Sequence, residues 1–168
     1  PGSIIIPYFS EHLFGKEFFT RYNLGVIEKP RRIIEDPLTR KQGNVISIEF
    51  PMGFANKGET SEETARRELS EETNAFIEKI TYLGSINPLP AYYAVQKSNE
   101  VFAAEIDQAK LEEITGRGLS KKAQKEVIVN ARYVSIYEVR DLITSGKIFC
   151  GLTQSAFAKF ICHFSLFK

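Results

Sequence analysis

The chain of 168 residues is long enough for one full hydrophobic core and too short for two ordinary domains. Hydrophobic residues make up 43% and charged residues 26%, with a formal net charge of +1, which gives no reason to expect a nucleic-acid or membrane surface. No apolar run approaches the ~20 residues of a membrane span, because Pro7 ends the Ile4-Ile5-Ile6 cluster and Lys159 and His163 interrupt the aromatic C-terminus. A cytoplasmic protein is expected. Cys150 and Cys162, without a CxxC and in apolar surroundings, are expected to be buried free thiols.

Residues 1–23 mix Ile4 to Ile6 with Phe9, Phe14, Phe18 and Phe19, apolar surface that the core or a partner subunit must cover. Leu24 to Glu28 reads as a short strand that Pro30 ends, since proline cannot donate to a ladder. Arg31, Arg32, Asp36, Pro37, Arg40 and Lys41 then form a polar loop closed by Gly43-Asn44, a candidate phosphate contact as well as a plain solvated connector. Val45 to Phe50 is a β-rich run, and Glu49-Phe50-Pro51-Met52-Gly53 leads it into the most informative stretch of the chain.

That stretch, Gly53 to Ala75, carries Glu59, Glu62, Glu63, Glu68, Glu71 and Glu72. Thr60 with Glu63 is a capping-box pattern, so a helix starts near Ser61, and Asn74 suits the left-handed residue that stops it. At about 100° per residue, Glu68, Glu71 and Glu72 share one face. Each close like-charged pair costs on the order of a few tenths of a kcal/mol, and a hard divalent cation would turn that cost into affinity. Arg67, four residues before Glu71, can orient its carboxylate.

The spacing of Gly53, Glu59, Arg67, Glu68, Leu69, Glu71 and Glu72 resembles the Nudix box, G-x5-E-x7-R-E-U-x-E-E-x-G-U with U a bulky aliphatic. Asn74 and Ala75 depart from the last Gly and the last aliphatic; neither departure touches a carboxylate. The segment Glu49 to Gly53 is similar to the entrance of the box in the ADP-ribose pyrophosphatase branch. The resemblance implies that Glu68, Glu71 and Glu72, with the carbonyl of Met52, bind Mg²⁺ or Mn²⁺, that Glu59 and Arg67 orient these ligands, and that Glu49 lies with the substrate.

Beyond the box, Ile80 to Ile86 and Val101 to Ile106 read as strands flanking a loop with Pro88, Pro90, Tyr92 and Tyr93. Pro90 stands where the resemblance implies an ADP-ribose hydrolase, whereas Tyr92 keeps diadenosine polyphosphates open; its ring could stack on adenine or equally fill a core edge. Asp107 to Lys125 has the composition of a mobile lid and delivers Glu126 to a strand over Val127 to Ser135. In that branch a loop glutamate helps activate the attacking water, which makes Glu126 the candidate here, ahead of Glu112 and Glu113. Ser135 and Glu138 form a second capping-box pattern for a helix that stops at Gly146, and the last helix follows Thr153 with Phe157, Phe160, Ile161 and Phe164 on one core-facing stripe.

The expectation is one Nudix domain over 1–168, with residues 1–43 as N-terminal strands and loops that could form a dimer and with the box at 53–75, folded as an α/β/α sandwich with a mixed β-sheet. The implied activity is metal-dependent hydrolysis of a nucleoside diphosphate linked to another moiety, foremost ADP-ribose to AMP and ribose 5-phosphate or a related nucleotide sugar. Its catalytic residues would be Glu68, Glu71, Glu72, Arg67 and Glu126, and its substrate contacts Arg31, Arg32, Glu49, Pro90 and Tyr92. A hydrolase of diadenosine polyphosphates or RNA 5′ ends, or a module that senses ADP-ribose without cutting it, remains open. The expected partners are a small nucleotide diphosphate and a second copy of the chain, with neither membrane nor nucleic acid. The two histidines, His12 and His163, exclude an HExxH zinc site, and Glu59-Thr60 after Gly58 excludes a P-loop.

Overall fold

The computed structural model describes residues 2–13, 19–33, 43–87, 98–107 and 128–166. In these, strands β1 (Gly2–Leu13), β2 (Phe19–Ile33), β3 (Gly43–Glu49), β4 (Met52–Phe54), β5 (Ile77–Ile86), β6 (Asn99–Ile106) and β7 (Asn130–Ser135) form one sheet. Its order is β3-β2-β1-β6-β5, with β4 beside β1 and β7 beside β2. The sheet is mixed: β1 and β6 run parallel and the other pairs antiparallel. Helices α1 (Ser61–Thr73), α2 (Ile136–Thr144) and α3 (Gly151–Phe164) cover it, as the sandwich expectation requires.

The N-terminal apolar run is the centre of this sheet. In a strand successive side chains point to opposite faces, so Ile4, Ile6 and Tyr8 enter a core with Val139 and Leu142 of α2 and Phe157 and Phe160 of α3, while Ile5 and Phe9 enter a second core with Ala65 and Leu69 of α1. A strand buried on both faces reads as a continuous hydrophobic run, which is why no alternation marks it. Each of the three isoleucines is almost fully buried and contributes roughly 1.5–3 kcal/mol. The chain itself therefore covers residues Ile4 to Phe9, and no partner subunit is needed for that.

Several elements differ from their sequence expectation. β2 does not stop at Pro30 but runs to Ile33, with Pro30 opposite Ile46 of β3. Among the described residues β7 pairs with β2 only as far as Glu28, so at Pro30 the strand has β3 alone beside it, and a missing N–H is tolerated on such an edge. Gly43 and Asn44 open β3 rather than closing a loop. Thr153 lies inside α3, not before it: buried, its hydroxyl accepts the N–H of Phe50 at 3.3 Å, tying the end of β3 to the helix. Ser135 caps α2 as expected, but Glu138 turns to Arg132 at 2.8 Å. Cys150 is half-buried and Cys162 exposed, so neither is the buried thiol that its apolar neighbours suggest; both are free. The segment from Asp107 to Lys125, expected as a lid, lies almost wholly outside the described residues, as do residues 88–97 of the loop expected after Asn87.

α1 forms as its sequence dictates. Thr60 and Glu63 exchange both capping bonds, at 3.2 and 2.8 Å, and Asn74 ends the helix at φ 57°, its N–H bonded to Ser70 at 3.0 Å. Ala75 then buries itself in the α1-side core.

Candidate active site

β4 and α1 come closest where Gly53 meets the Glu68 side chain. A Cβ at Gly53 would lie 2.2 Å from the Glu68 carboxyl carbon and 2.2 Å from its Oε1, so any side chain here would have to displace this carboxylate. β4 itself is held against β1, with Gly53 opposite Ser3, and Ser3 Oγ donates to the Ser61 carbonyl at 2.8 Å. The start of the central strand thus fixes both the loop and the helix N-terminus.

Glu59 before α1 and Glu68 and Glu71 within it meet at Arg67, while Glu72 pairs with Lys29. Arg67 donates through Nε to Glu59 Oε1 at 2.8 Å and through Nη2 to Glu59 Oε2 at 2.9 Å and the Phe54 carbonyl at 3.0 Å; Nη1 bonds Glu71 at 3.0 Å and also Glu68. Glu59 is fixed in turn by the Asn56 N–H at 2.8 Å and the Thr64 hydroxyl at 3.1 Å. The Arg67 hydrogen bonds, then that of Asn56, hold the Glu59 carboxyl down to about 2. One turn further on, Glu72 is 1% exposed; its Oε1 is bonded by Lys29 of β2, itself buried, and its Oε2 accepts the Met52 N–H at 3.2 Å.

Among the described residues, no group of three or more His, Cys, Asp or Glu side chains is gathered as an ion cage. Glu68 and Glu71 converge on Arg67 and Glu72 on Lys29. The physical reason is that like-charged carboxylates spread unless a cation stands between them, and here guanidinium and ammonium groups do so. The donor chemistry nonetheless fits a hard divalent ion: carboxylate oxygens on one helix face, Glu68 and Glu72 buried, with a lysine drawn to Glu72 as a stand-in cation.

Glu68 and Lys29 line a cleft of about 330 Å³ together with Met52, Gly53 and Arg31. Arg31 is gripped by Glu49, Nε to Oε1 at 2.9 Å and Nη2 to Oε2 at 2.6 Å, a fork-to-carboxylate fit that aims a half-exposed guanidinium. Glu49 is 3% exposed; burial is the largest single influence and would raise its pKa, but the hydrogen bonds and positive charges around it, those of Arg31 first, together outweigh this and the carboxyl stays below its usual value. Glu49 thus stands paired with Arg31, which lines the cleft.

Of the residues expected from sequence, Glu59, Arg67, Glu68, Glu71, Glu72, Met52, Arg31 and Glu49 come together around β4 and α1. Pro90, Tyr92 and Glu126 lie outside the described residues, as does the side chain of Arg32. Lys29 is the residue that sequence reasoning missed. Its signal was available: two positions before Arg31 on a strand, it must share that residue's face.

The family model of the NUDIX domain matches residues 31–148. The chain belongs to the Nudix family. Its members generally use divalent metal ions. No curated protein matches the chain. Among solved structures, a NUDIX hydrolase from Nitrosomonas europaea aligns at 18% identity with TM-score 0.56, covering 96% of this chain and 90% of that one. A mutT/nudix family protein from Listeria innocua aligns at 19% and 0.52, covering 92% and 94%. A structure described as an ADP compounds hydrolase aligns at 16% and 0.59, covering 95% of this chain and 69% of that one. At these identities the likeness establishes the Nudix fold. No helix among the described residues is long and apolar enough to cross a membrane.

Proposed function

We propose that this Nudix protein hydrolyses a nucleoside diphosphate linked to a second moiety, with ADP-ribose or a related nucleotide sugar as substrate and AMP plus ribose 5-phosphate as the products from ADP-ribose. The observation that carries the reading is the two-signed cleft: Glu68 faces it from α1, and Lys29 and Arg31 face it from β2. A diphosphate needs both, cations for its own oxygens and carboxylates for the ion that accompanies it. The Glu49-Phe50-Pro51-Met52-Gly53 segment and the likeness in fold to a protein described as an ADP compounds hydrolase favour an ADP-containing substrate.

Glu68, Glu71 and Glu72 would hold Mg²⁺ or Mn²⁺, with the Met52 carbonyl as a further oxygen. A bound ion there neutralises charge on the phosphoryl oxygens and lowers the pKa of a coordinated water. The chain's own groups do the rest. Arg67, fastened to Glu59 and to the Phe54 carbonyl, sets where the Glu68 and Glu71 oxygens stand. Arg31, oriented by Glu49, meets a phosphate oxygen across the cleft. Pro90 and Tyr92 shape the nucleoside end, and Glu126 takes a proton from the attacking water; both assignments rest on position along the chain alone.

A panel of nucleotide diphosphates incubated with Mg²⁺, with both products identified, tests the reading. AMP with ribose 5-phosphate from ADP-ribose supports it. Cleavage confined to diadenosine polyphosphates or RNA 5′ ends, or tight ADP-ribose binding without products, would overturn it. Glu71→Gln and Glu72→Gln should each lower kcat by about 100-fold or more. Their stabilities should differ: the Glu71 side chain is 29% exposed, whereas Glu72 is buried against Lys29, so its neutralisation breaks a buried ion pair and costs about 3–5 kcal/mol. Near-normal turnover in both variants would remove α1 from the mechanism.

A further inference from the structure

Lys29 touches the site in a second way besides facing the cleft. Its side chain is 7% exposed and its partner Glu72 1%, and the two come from elements far apart in sequence, β2 and the last turn of α1. Its ammonium bonds Glu72 Oε1, while the other oxygen accepts the Met52 N–H. Lys29 also stands on the cleft wall beside Arg31, Met52 and Glu68. A single ammonium thus borders both a carboxylate suited to a divalent ion and the space suited to a phosphate.

We propose that Lys29 is an exchangeable internal counter-ion that competes with the divalent metal for Glu72. The inference rests on the reading of α1 as the ion-binding helix. An ammonium on Oε1 and a divalent ion on the same carboxylate are like charges within one group's span, in a buried place where water screens them poorly. Both cannot keep their best contact. Glu72 joins the ion's ligands to the extent that Lys29 leaves it, and the cleft on which Lys29 lies offers the ammonium an anionic host once a phosphate is present. Lys29 is then a positioning residue, acting through Glu72: it keeps the carboxylate paired without metal and makes the affinity for metal depend on phosphate.

The test is nucleotide-free binding of Mn²⁺, followed by calorimetry and electron paramagnetic resonance, so that it does not depend on turnover. Lys29→Met and Lys29→Gln should each bind Mn²⁺ about tenfold more tightly than wild type. In Lys29→Met/Glu72→Gln that gain should vanish. A purely structural lysine would leave affinity unchanged or, by loosening α1, weaken it, and either result overturns the proposal. Should both single variants fail to fold, the wild-type protein still decides: the ¹⁵N signal of the Lys29 ammonium should shift on titration with Mg²⁺, and an unmoved signal overturns the proposal. A protein with the Lys29 effect that cleaves no ADP-ribose refutes the functional reading alone. One that cleaves ADP-ribose while Lys29→Met leaves Mn²⁺ affinity unchanged refutes the competition alone.

Discussion

The two faces of the sheet are built to different ends from the same central strand. Beneath α2 and α3, β1 presents Ile4, Ile6 and Tyr8 to an aromatic layer in which Tyr8 and Phe160 meet edge-on at 5.3 Å and Phe160 and Phe164 lie 4.6 Å apart. Beneath α1 the core is smaller, made of Ile5, Phe9, Ala65, Leu69, Phe102 and neighbours, and its helix also carries the buried carboxylates Glu68 and Glu72. Buried charge is costly unless paired, so a helix bearing it is held by ion pairs and a cap as well as by packing. The contrast teaches that one face secures the sheet and the other holds chemistry against it, and that β1 couples them by alternation alone.

The sharpest way to break this comparison is to remove the aromatic anchor of the first face. Phe160→Ala should cost about 3–5 kcal/mol in denaturant unfolding. Mn²⁺ affinity measured well below the melting point should stay at the wild-type value; a parallel loss would mean that the faces are not separable. On the second face the weighting reverses. Gly53→Ala pushes a methyl into the Glu68 carboxylate, and the expected outcome is a loss of about 100-fold in kcat/KM, because a misplaced ligand of that size is enough. Its stability cost should be the smaller effect, about 1–3 kcal/mol from overpacking.

The smallest effect concerns Glu59. Its carboxyl titrates at about 2 rather than near its ordinary 4.5, chiefly through Arg67. A pKa depressed by folding means that the group contributes stability in full above its unfolded value and loses it as pH falls through the folded one. The contribution should therefore disappear between about pH 4.5 and about 2, and carboxyl NMR should follow Glu59 through that window. In Arg67→Met the Glu59 titration should return toward 4.5, and the stability that the depressed pKa contributed at neutral pH should be lost with it. If it stays low, the Asn56 and Thr64 hydrogen bonds, not the guanidinium, control it.

Local chemistry made much of this molecule readable in one dimension. The capping pair Thr60 and Glu63, the stop at Asn74, the link from Arg67 to Glu71 and the apolar stripe of Phe157 and Phe160 all join residues within a turn or two of one another, where spacing alone sets geometry. The glycine of the box could be recognised as required but not explained: its reason is the Glu68 carboxylate that α1 brings against β4 from the other side. The N-terminal strand was harder still, since burial on both faces erases the alternation by which a strand is usually found.

What the sequence by itself determined is the helix and the order of charges along it, together with the Nudix family to which that pattern belongs. What only the tertiary structure decided is which cation answers each charge. Arg67 gathers Glu59, Glu68 and Glu71 along the helix, while Lys29 arrives from β2 to meet Glu72, and Glu49 turns inward to aim Arg31. Helical neighbours are fixed by the pitch of the backbone, whereas a pairing across more than forty positions depends on how β1 seats β2 and α1 against each other, which no local pattern records.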